Sequence, residues 1–146
     1  MAKIHVEEKE REHIVKLSKA PRYLGISNIL GDKVFKFSAT ALEESSSCLI
    51  DIEVFKKLIV KNGQFAYHLL TSVAADELNL VRRYTDVSSK QVTGRVAEAL
   101  LYFADDIYEN DRYYLPFTRS DLAAFVNATR ESTTRVLLDL KRDGAI

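Results

Sequence analysis

The sequence predicts an α+β protein, and three observations carry that prediction. Short segments that alternate polar and apolar side chains occupy the first fifty residues, as in strands. From Asp51 onward, apolar side chains recur every three or four positions, as on one face of a helix. The chain ends in two short helical segments separated by a tight turn. We therefore expect a sheet followed by a set of helices.

The strand pattern occurs four times, at residues 3–7, 13–18, 38–42 and 47–51. The charged residues 7–10 suit an exposed hairpin loop between the first two strands. Four short strands cannot close a barrel, so we expect part of a β domain rather than a whole one. Cys48 falls in the fourth strand pattern, which favours a core thiol over a redox sensor.

Composition excludes several classes of protein. The chain has 146 residues, 47% of them hydrophobic, which suffices for a buried core. Its 21 basic and 21 acidic residues cancel, so binding to nucleic acid through an overall positive charge is excluded, whereas a local basic patch is not. A single cysteine excludes a disulfide framework, a cysteine-based zinc site and a four-thiolate iron–sulfur cluster. No apolar run reaches the roughly 20 residues of a membrane span, and residues 1–11 are too charged for a secretory signal. We expect a soluble, cytoplasmic protein.

A long helix is predicted over about residues 64–88. Asp51 suits the N-cap of the helix before it, and Gly63 suits a left-handed cap that ends that helix. The long helix carries a stripe of side chains at three- and four-residue steps, in which Glu77 is the polar member. The apolar members are Leu70, Val73, Leu80, Tyr84 and Val87. The stripe fits either a core helix or a dimerising coiled coil, and periodicity does not choose between them.

The segment after the long helix predicts a hinge, a helix and a strand. Ser88-Ser89 is typical of a hinge, and a helix is expected over about residues 91–107. Residues 113–117 can form a short strand, which Pro116 limits to a sheet edge.

The last thirty residues predict a helix-turn-helix. Thr118 caps a short helix with Asp121 at the capping-box position, Asn127 tolerates a positive φ in the turn, and Thr129 caps a second helix over 130–142 that Gly144 ends. The core face of the second helix comprises Thr133, Val136, Leu137 and Leu140. The opposite face comprises Arg130, Glu131, Thr134, Arg135 and Leu138.

The exposed face of that helix suits the chemistry of the DNA major groove. Arg130 and Arg135 can each donate two hydrogen bonds to guanine, and Glu131 can accept from cytosine. Side chains at the two helix N-termini suit phosphates, namely Arg119, Ser120, Thr129 and Ser132. An ordinary solvated face with an Arg–Glu ion pair fits the same pattern. No catalytic triad, phosphate loop or cluster of metal ligands is recognisable, so we predict that the chain is not an enzyme.

The same residues resemble the CRP/FNR family of bacterial transcription regulators. Thr118-Arg-Ser-Asp-Leu-Ala and Thr129-Arg-Glu-Ser-Thr-Thr-Arg-Val-Leu are similar to its helix-turn-helix signatures, and Val92-Thr-Gly-Arg-Val-Ala is a second match. Ser38-Ala-Thr-Ala-Leu, Ile50-Asp and Phe55-Lys-Lys-Leu resemble the end of its cyclic-nucleotide-binding-like β-roll. The resemblance implies a partial β-roll (jelly-roll) sensor with a short helix over 1–63, and a dimerisation helix and hinge over 64–89. It implies a DNA-binding domain of the winged helix-turn-helix type, without its wing, over 90–146.

Roles follow from that resemblance residue by residue. Arg130, Glu131 and Arg135 fall on base-reading positions, and Thr134 falls on a variable one. Phosphate contacts fall on Arg119, Ser120, Thr129, Ser132 and Thr93. The stripe of the long helix becomes the interface of a homodimer that binds a DNA operator, with RNA polymerase as a further partner. Thr133 departs from the usual Val, and Asn127 replaces the usual Gly of the turn.

The effector pocket departs most from the family pattern. Gly25 is kept, but Ile26 replaces a ribose-binding Glu and Phe37 replaces the phosphate-binding Arg before Ser38. Burying a phosphate among apolar groups is costly, so we predict that cyclic AMP does not bind. Haem stays open as a cofactor of a gas-sensing alternative, with His5, His13 or His68 as ligand, although we favour surface or half-buried histidines. The family's first strands and its wing are missing, so the chain is expected to be truncated at both ends.

Overall fold

A three-stranded antiparallel sheet forms the N-terminal part of the computed structural model, which describes residues 1–8, 11–31 and 34–146. The strands are β1 (Ala2–Glu8), β2 (Arg11–Ser18) and β3 (Ser38–Ala41), in the order β2-β1-β3. Three of the four predicted strands are thereby confirmed. Glu8 pairs with Arg11, and residues 9 and 10 of the predicted hairpin loop lie outside the described residues.

Helices make up most of the rest of the chain, which confirms the α+β class. They are α1 (Ile26–Leu30), α2 (Ile52–Lys61), α3 (Gly63–Ser89), α4 (Val92–Tyr102), a π-helical segment (Phe103–Tyr108), α5 (Arg119–Phe125) and α6 (Arg130–Arg142). Within the described ranges, none of these helices combines the length and the apolar composition that crossing a bilayer requires.

Two predicted strands are wrong. Residues 47–50 are irregular and lie outside the sheet, where Leu49 is 99% exposed and Cys48 is exposed rather than in the core. Asp51 ends this segment by capping α2, since its carboxylate accepts from the amides of Glu53 and Val54. Residues 113–117 are also irregular. Tyr113 lies in that segment, and its ring stacks on Tyr108 while its hydroxyl donates to a carbonyl of α4.

Three predicted helix boundaries also differ from the structure. Gly63 is not a left-handed cap: Asn62 is extended there, and its side chain caps α3, of which Gly63 is the first residue. Ser88 and Ser89 are helical, and both hydroxyls donate to the carbonyl of Thr85. The break comes at Lys90. The helix expected over 91–107 changes to π-helical geometry at Phe103.

One hydrophobic core joins the sheet to the C-terminal helices. Ile14 and Leu17 of β2 are buried in the same cluster as side chains of α4, the π-helical segment, α5 and α6. Phe103 is fully buried at its centre, with its ring 5.1 Å from that of Phe125 and 5.7 Å from that of Phe117. Aromatic pairs at these distances add to the free energy gained by burial. The strand pair therefore packs directly on the helix-turn-helix.

An ion pair links the same two parts. The ammonium of Lys3 lies 2.6 Å from the carboxylate of Asp121 and 2.7 Å from that of Glu12. Burial alone would raise the pKa of Asp121, but the hydrogen bonds from Lys3 and Thr118 outweigh it and hold that pKa below its usual value. The ionised carboxylate is therefore favoured in the folded protein.

Asp121→Asn should lower the free energy of unfolding by about 1–3 kcal/mol at neutral pH, because hydrogen bonds to a charged group are lost. Since folding lowers the pKa of Asp121, its contribution is complete above about pH 4 and is lost as the pH falls further. Urea unfolding of both proteins between pH 5 and pH 3 should show a smaller pH dependence in the variant. Asp139→Asn, at a more exposed pair with Arg142, is the matched control. Equal losses in the two variants would contradict this role of Asp121.

Candidate DNA-binding surface

The first helix of the helix-turn-helix is closed by a capping box. The hydroxyl of Thr118 accepts from the amide of Asp121 at 3.1 Å, and the Asp121 carboxylate accepts from the amide of Thr118 at 2.9 Å. The predicted box is thereby confirmed with Asp in place of the more usual Glu. The cap fixes where α5 begins and places Arg119 and Ser120 in its first turn, both exposed.

The turn between the helices is held by its own backbone and by α4. Asn127 has the predicted positive φ, at 51°, and the amide of Ala128 donates to the carbonyl of Ala123 at 3.0 Å. The guanidinium of Arg95 in α4 donates to the carbonyl of Asn127 at 2.9 Å. Sequence reasoning matched Arg95 to a motif without assigning it a role. Its position near the start of α4 gave no indication that its side chain contacts the loop between α5 and α6.

The second helix, α6, is capped at both ends as predicted. The hydroxyl of Thr129 accepts from the amide of Ser132 at 3.2 Å. At the other end Gly144 has a φ of 75°, and the amide of Ala145 donates to the carbonyl of Leu140 at 2.9 Å. This pair of features is a Schellman motif, which satisfies the last carbonyls of the helix. The orientation of α6 is thus fixed locally as well as by packing.

The two faces of α6 separate as the period predicts. Thr133, Val136 and Leu137 are buried, whereas Arg130 and Arg135 are exposed. Glu131 is exposed as well, and Thr134 is half-buried. Along the described ranges of the chain, no ion pair involves Arg130, Glu131 or Arg135. The ion pair that an ordinary solvated face would carry is therefore not formed, and all three groups are accessible to a ligand.

The residues predicted to contact phosphate lie at three helix N-termini. Thr93 is exposed in the first turn of α4, Arg119 and Ser120 are exposed in that of α5, and Thr129 precedes α6. Ser132 is half-buried, and its hydroxyl lies 3.0 Å from that of Thr129. Amides at such helix ends attract anions.

The long helix exposes an apolar stripe that differs in part from the predicted one. Leu70 is 66% exposed and Tyr84 is 77% exposed, whereas Val73 and Leu80 are less exposed and Val87 is half-buried. Three further apolar side chains of the helix are exposed, each within one turn of the predicted stripe. The sequence analysis missed them because it followed a single line of three- and four-residue steps. These are Tyr67, Leu78 and Val81.

Two residues of the predicted effector pocket, Gly25 and Phe37, lie beside the ring of Phe35. Gly25 has a φ of 83° and precedes α1, in which Ile26 is the first residue. A Cβ at Gly25 would lie 3.1 Å from the ring of Phe35, which packs edge-on against Phe37 at 6.5 Å. Phe37 is half-buried, and Ser38 is exposed at the start of β3. Aromatic rings therefore occupy this region.

The three histidines predicted as alternative haem ligands have different surroundings. His5 is buried in β1 with its Nε2 3.0 Å from the hydroxyl of Thr40 and its Nδ1 3.6 Å from Glu12. His13 is half-buried in β2, and His68 is exposed in α3.

Comparison with known proteins adds a family and a fold. Residues 94–146 match a family model described as the Crp-like helix-turn-helix domain. Over 91 residues the chain is 29% identical to the cAMP-activated global transcriptional regulator CRP of Pasteurella multocida (strain Pm70), a match that covers 60% of this chain and 44% of that protein. The chain therefore spans less than half the length of this relative. The relative is named as a regulator and not as an enzyme.

A solved structure shows the same fold over nearly the whole chain. It is that of the c-di-GMP responsive global regulator CLP of Xanthomonas campestris, with a TM-score of 0.72 and 17% identity. The match covers 98% of this chain and 74% of that one. At that identity the likeness concerns the fold.

Thr133→Val should stabilise the protein by about 1 kcal/mol. Thr133 is 0% exposed and its hydroxyl has no hydrogen-bond partner along the described ranges, so Val removes the cost of burying it. Urea unfolding measures the difference. Thr134→Val is the control, because Thr134 is only half-buried. It should change the free energy of unfolding by less than about half of the amount expected for Thr133→Val. A loss of stability in Thr133→Val would show that the hydroxyl is satisfied in solution.

Proposed function

We propose that this chain, which matches the Crp-like helix-turn-helix domain over residues 94–146, belongs to the CRP/FNR family and is a sequence-specific DNA-binding transcription regulator that acts as a homodimer. The observation that carries the proposal is the exposed face of α6, on which Arg130, Glu131 and Arg135 are free of ion pairs along the described ranges. Planar guanidinium groups on a rigid, doubly capped helix suit guanine edges in the major groove.

Phosphate contacts would orient this helix on the duplex. The exposed side chains Thr93, Arg119 and Thr129 lie at the starts of three different helices, where free amides and the helix dipoles favour a phosphate. Such contacts set the register of the protein on DNA and carry no sequence information themselves. Ser120 and Ser132 add hydroxyl donors at two of the same ends. We assign sequence reading to α6 alone.

The long helix α3 would form the dimer. Its exposed apolar side chains suit a two-fold contact with a second copy, with Leu70 and Tyr84 as central members and Val73, Leu80 and Val87 at its less exposed edge. Two recognition helices related by that axis would then enter successive major grooves about 34 Å apart. This spacing predicts an operator with two-fold symmetry.

Cyclic AMP is not proposed as the effector. The ring of Phe35 lies against Gly25, and Phe37 packs on Phe35 where the family resemblance would require a phosphate-binding guanidinium. At these rings a cyclic phosphate would not meet the guanidinium that the family resemblance leads us to expect, and burying an unpaired phosphate is costly. The surroundings of His5, His13 and His68 do not favour the haem-dependent alternative over this proposal.

Selection of randomised duplex DNA by the purified protein at physiological salt tests the proposal. We expect enrichment of a two-fold symmetric motif whose half-sites are one helical turn apart. Enrichment of an asymmetric motif would contradict the homodimer. Retention of all duplexes alike, weakening steeply with salt, would contradict sequence-specific reading.

Arg130→Ala and Arg135→Ala should each weaken binding to the selected motif by about 1–3 kcal/mol and relax the preference at one base pair, because each removes one bidentate contact. Competition binding against single-base variants of the motif measures both effects. Arg142→Ala is the matched control, since Arg142 lies in the same helix but pairs with Asp139 at its far end. An equal loss in all three variants would indicate a general charge effect instead of base reading.

Leu70→Lys and Tyr84→Lys should convert the dimer to monomer, because like charges would face each other across the two-fold axis. Sedimentation equilibrium at micromolar protein measures the mass. Leu101→Lys is the control: Leu101 is also an exposed leucine, but it lies outside α3, so this variant should remain dimeric. A dimer that survives both substitutions in α3 would place the interface elsewhere.

A further inference from the structure

A cavity of about 360 Å³ lies between β2, α3 and the helix-turn-helix half of the chain. Its size falls in the range of small-molecule sites. Leu17, Leu80, Tyr102 and Phe125 contribute apolar and aromatic surface to its wall. The cavity is separate from the predicted effector residues 25, 26, 37 and 38, none of which lines it.

The guanidinium of Arg83 lies on this wall and is bound to carbonyls instead of a carboxylate. It donates to the carbonyls of Ile14 and Phe125, at 3.0 and 2.6 Å, and to that of Val15. It also lies 4.0 Å from the centroid of the Phe125 ring. Along the described ranges Arg83 forms no ion pair, and burial lowers its pKa. Its charge is therefore held in place but not neutralised.

The other charged groups of the wall are mostly engaged with one another. Asp76 binds both Lys16 and Arg22, at 2.6 and 2.7 Å, and Glu98 binds Arg82 at 2.5 Å. These pairs leave little negative charge for Arg83.

The remaining polar groups of the wall add a second donor. Arg95 is the other arginine near the turn, and its Nε is buried with no hydrogen-bond partner along the described ranges. Asp86 is paired with Lys90 at 2.7 Å, and Asp106 is exposed to solvent. The wall therefore combines apolar surface with guanidinium groups that have N–H donors left over.

We propose that this cavity binds a small organic anion with an apolar or aromatic body, whose carboxylate or sulfonate is held by Arg83. Of the five N–H donors of the guanidinium, Nη2 uses two and Nη1 one in the carbonyl bonds, so one donor on Nη1 and the one on Nε are left, and either can bind an oxygen of the anion. Charge-assisted hydrogen bonds of this kind are shorter and stronger than those between neutral groups. The apolar wall takes the body of the ligand.

The cavity is lined by residues of the sheet, of the long helix α3 and of the helix-turn-helix. Its ligand would contact β2 on one side, α3 on another and Phe125 of the helix-turn-helix on the third. Binding would therefore favour the arrangement in which these parts are packed together. The proposal does not rest on DNA binding, and its test needs no DNA.

Two dyes of nearly equal shape test the site. Anilinonaphthalenesulfonate carries an anion and an aromatic body, whereas phenylnaphthylamine has the same body without the charge. Fluorescence titration of the full chain should show tighter binding of the sulfonate. Equal affinity for both dyes would overturn the proposal.

Methyl NMR of the unsubstituted protein locates the dye without any variant. The largest shifts on adding the sulfonate should fall on Leu17, Ile107 and Val126, which line the cavity. Largest shifts on Leu49 and Val60, which are exposed elsewhere, would show surface binding and overturn the proposal.

Arg83→Gln should weaken binding of the sulfonate by about tenfold or more and leave that of the neutral dye within about twofold. Arg112→Gln is the matched control, since Arg112 is exposed and does not line the cavity, and it should leave both affinities unchanged. Equal losses for the two dyes in a folded Arg83→Gln protein would overturn the role of Arg83. If Arg83→Gln does not fold, the NMR experiment on the unsubstituted protein decides whether the dye binds in the cavity.

Discussion

The guanidinium of Arg83 is the interaction on which the arrangement of the molecule depends. It projects from α3 and donates to no carboxylate among the described residues, whereas it donates to carbonyls of β2 and of α5. One side chain thereby crosslinks the backbones of sheet, long helix and helix-turn-helix. The core around Ile14, Leu17 and Phe103 then buries the same junction from the other side. Removing the cation would leave these buried carbonyls to find other donors.

This junction gives the proposed regulator a rigid base for reading DNA. A recognition helix can hydrogen-bond to base edges only when its position and orientation relative to the DNA are fixed. In this chain α6 is fixed by its caps, by the buried face around Val136, and by Arg95 at the turn before it. The exposed arginines thus depend on contacts made well outside α6, some of them by β2.

Local patterns predicted most of the secondary structure and the accessible face of α6. Caps and periods are local, so Thr118, Asn127, Thr129 and Gly144 could be read correctly from their neighbours in the chain. The strands at 47–51 and 113–117 were wrong because alternation over five residues does not specify a partner strand. Side chains of the second segment pack on aromatic rings of the preceding π-helical segment instead of pairing with a strand.

Long-range polar contacts could not be predicted in this way. Arg83 follows Leu80 by three residues on an apolar stripe, and only the position of Ile14, 69 residues earlier, explains why a cation is there. The bond from Arg95 to the turn spans 32 residues and has no local signature either. The exposed apolar stripe of α3 is a third case, since its exposure depends on contacts distant in the sequence, such as that of Asp76 with Lys16, 60 residues earlier.

The carboxylate of Asp121 serves two partners at once, and this has a consequence for how the family can diverge. It caps α5 through Thr118 and also binds Lys3, 118 residues away in sequence. Helix capping alone would accept Glu or Gln at this position. The second partner requires a negative charge at a short reach, so drift at position 121 is constrained by position 3. In an alignment of homologues these two positions should therefore covary, whereas Thr118 should exchange freely with Ser.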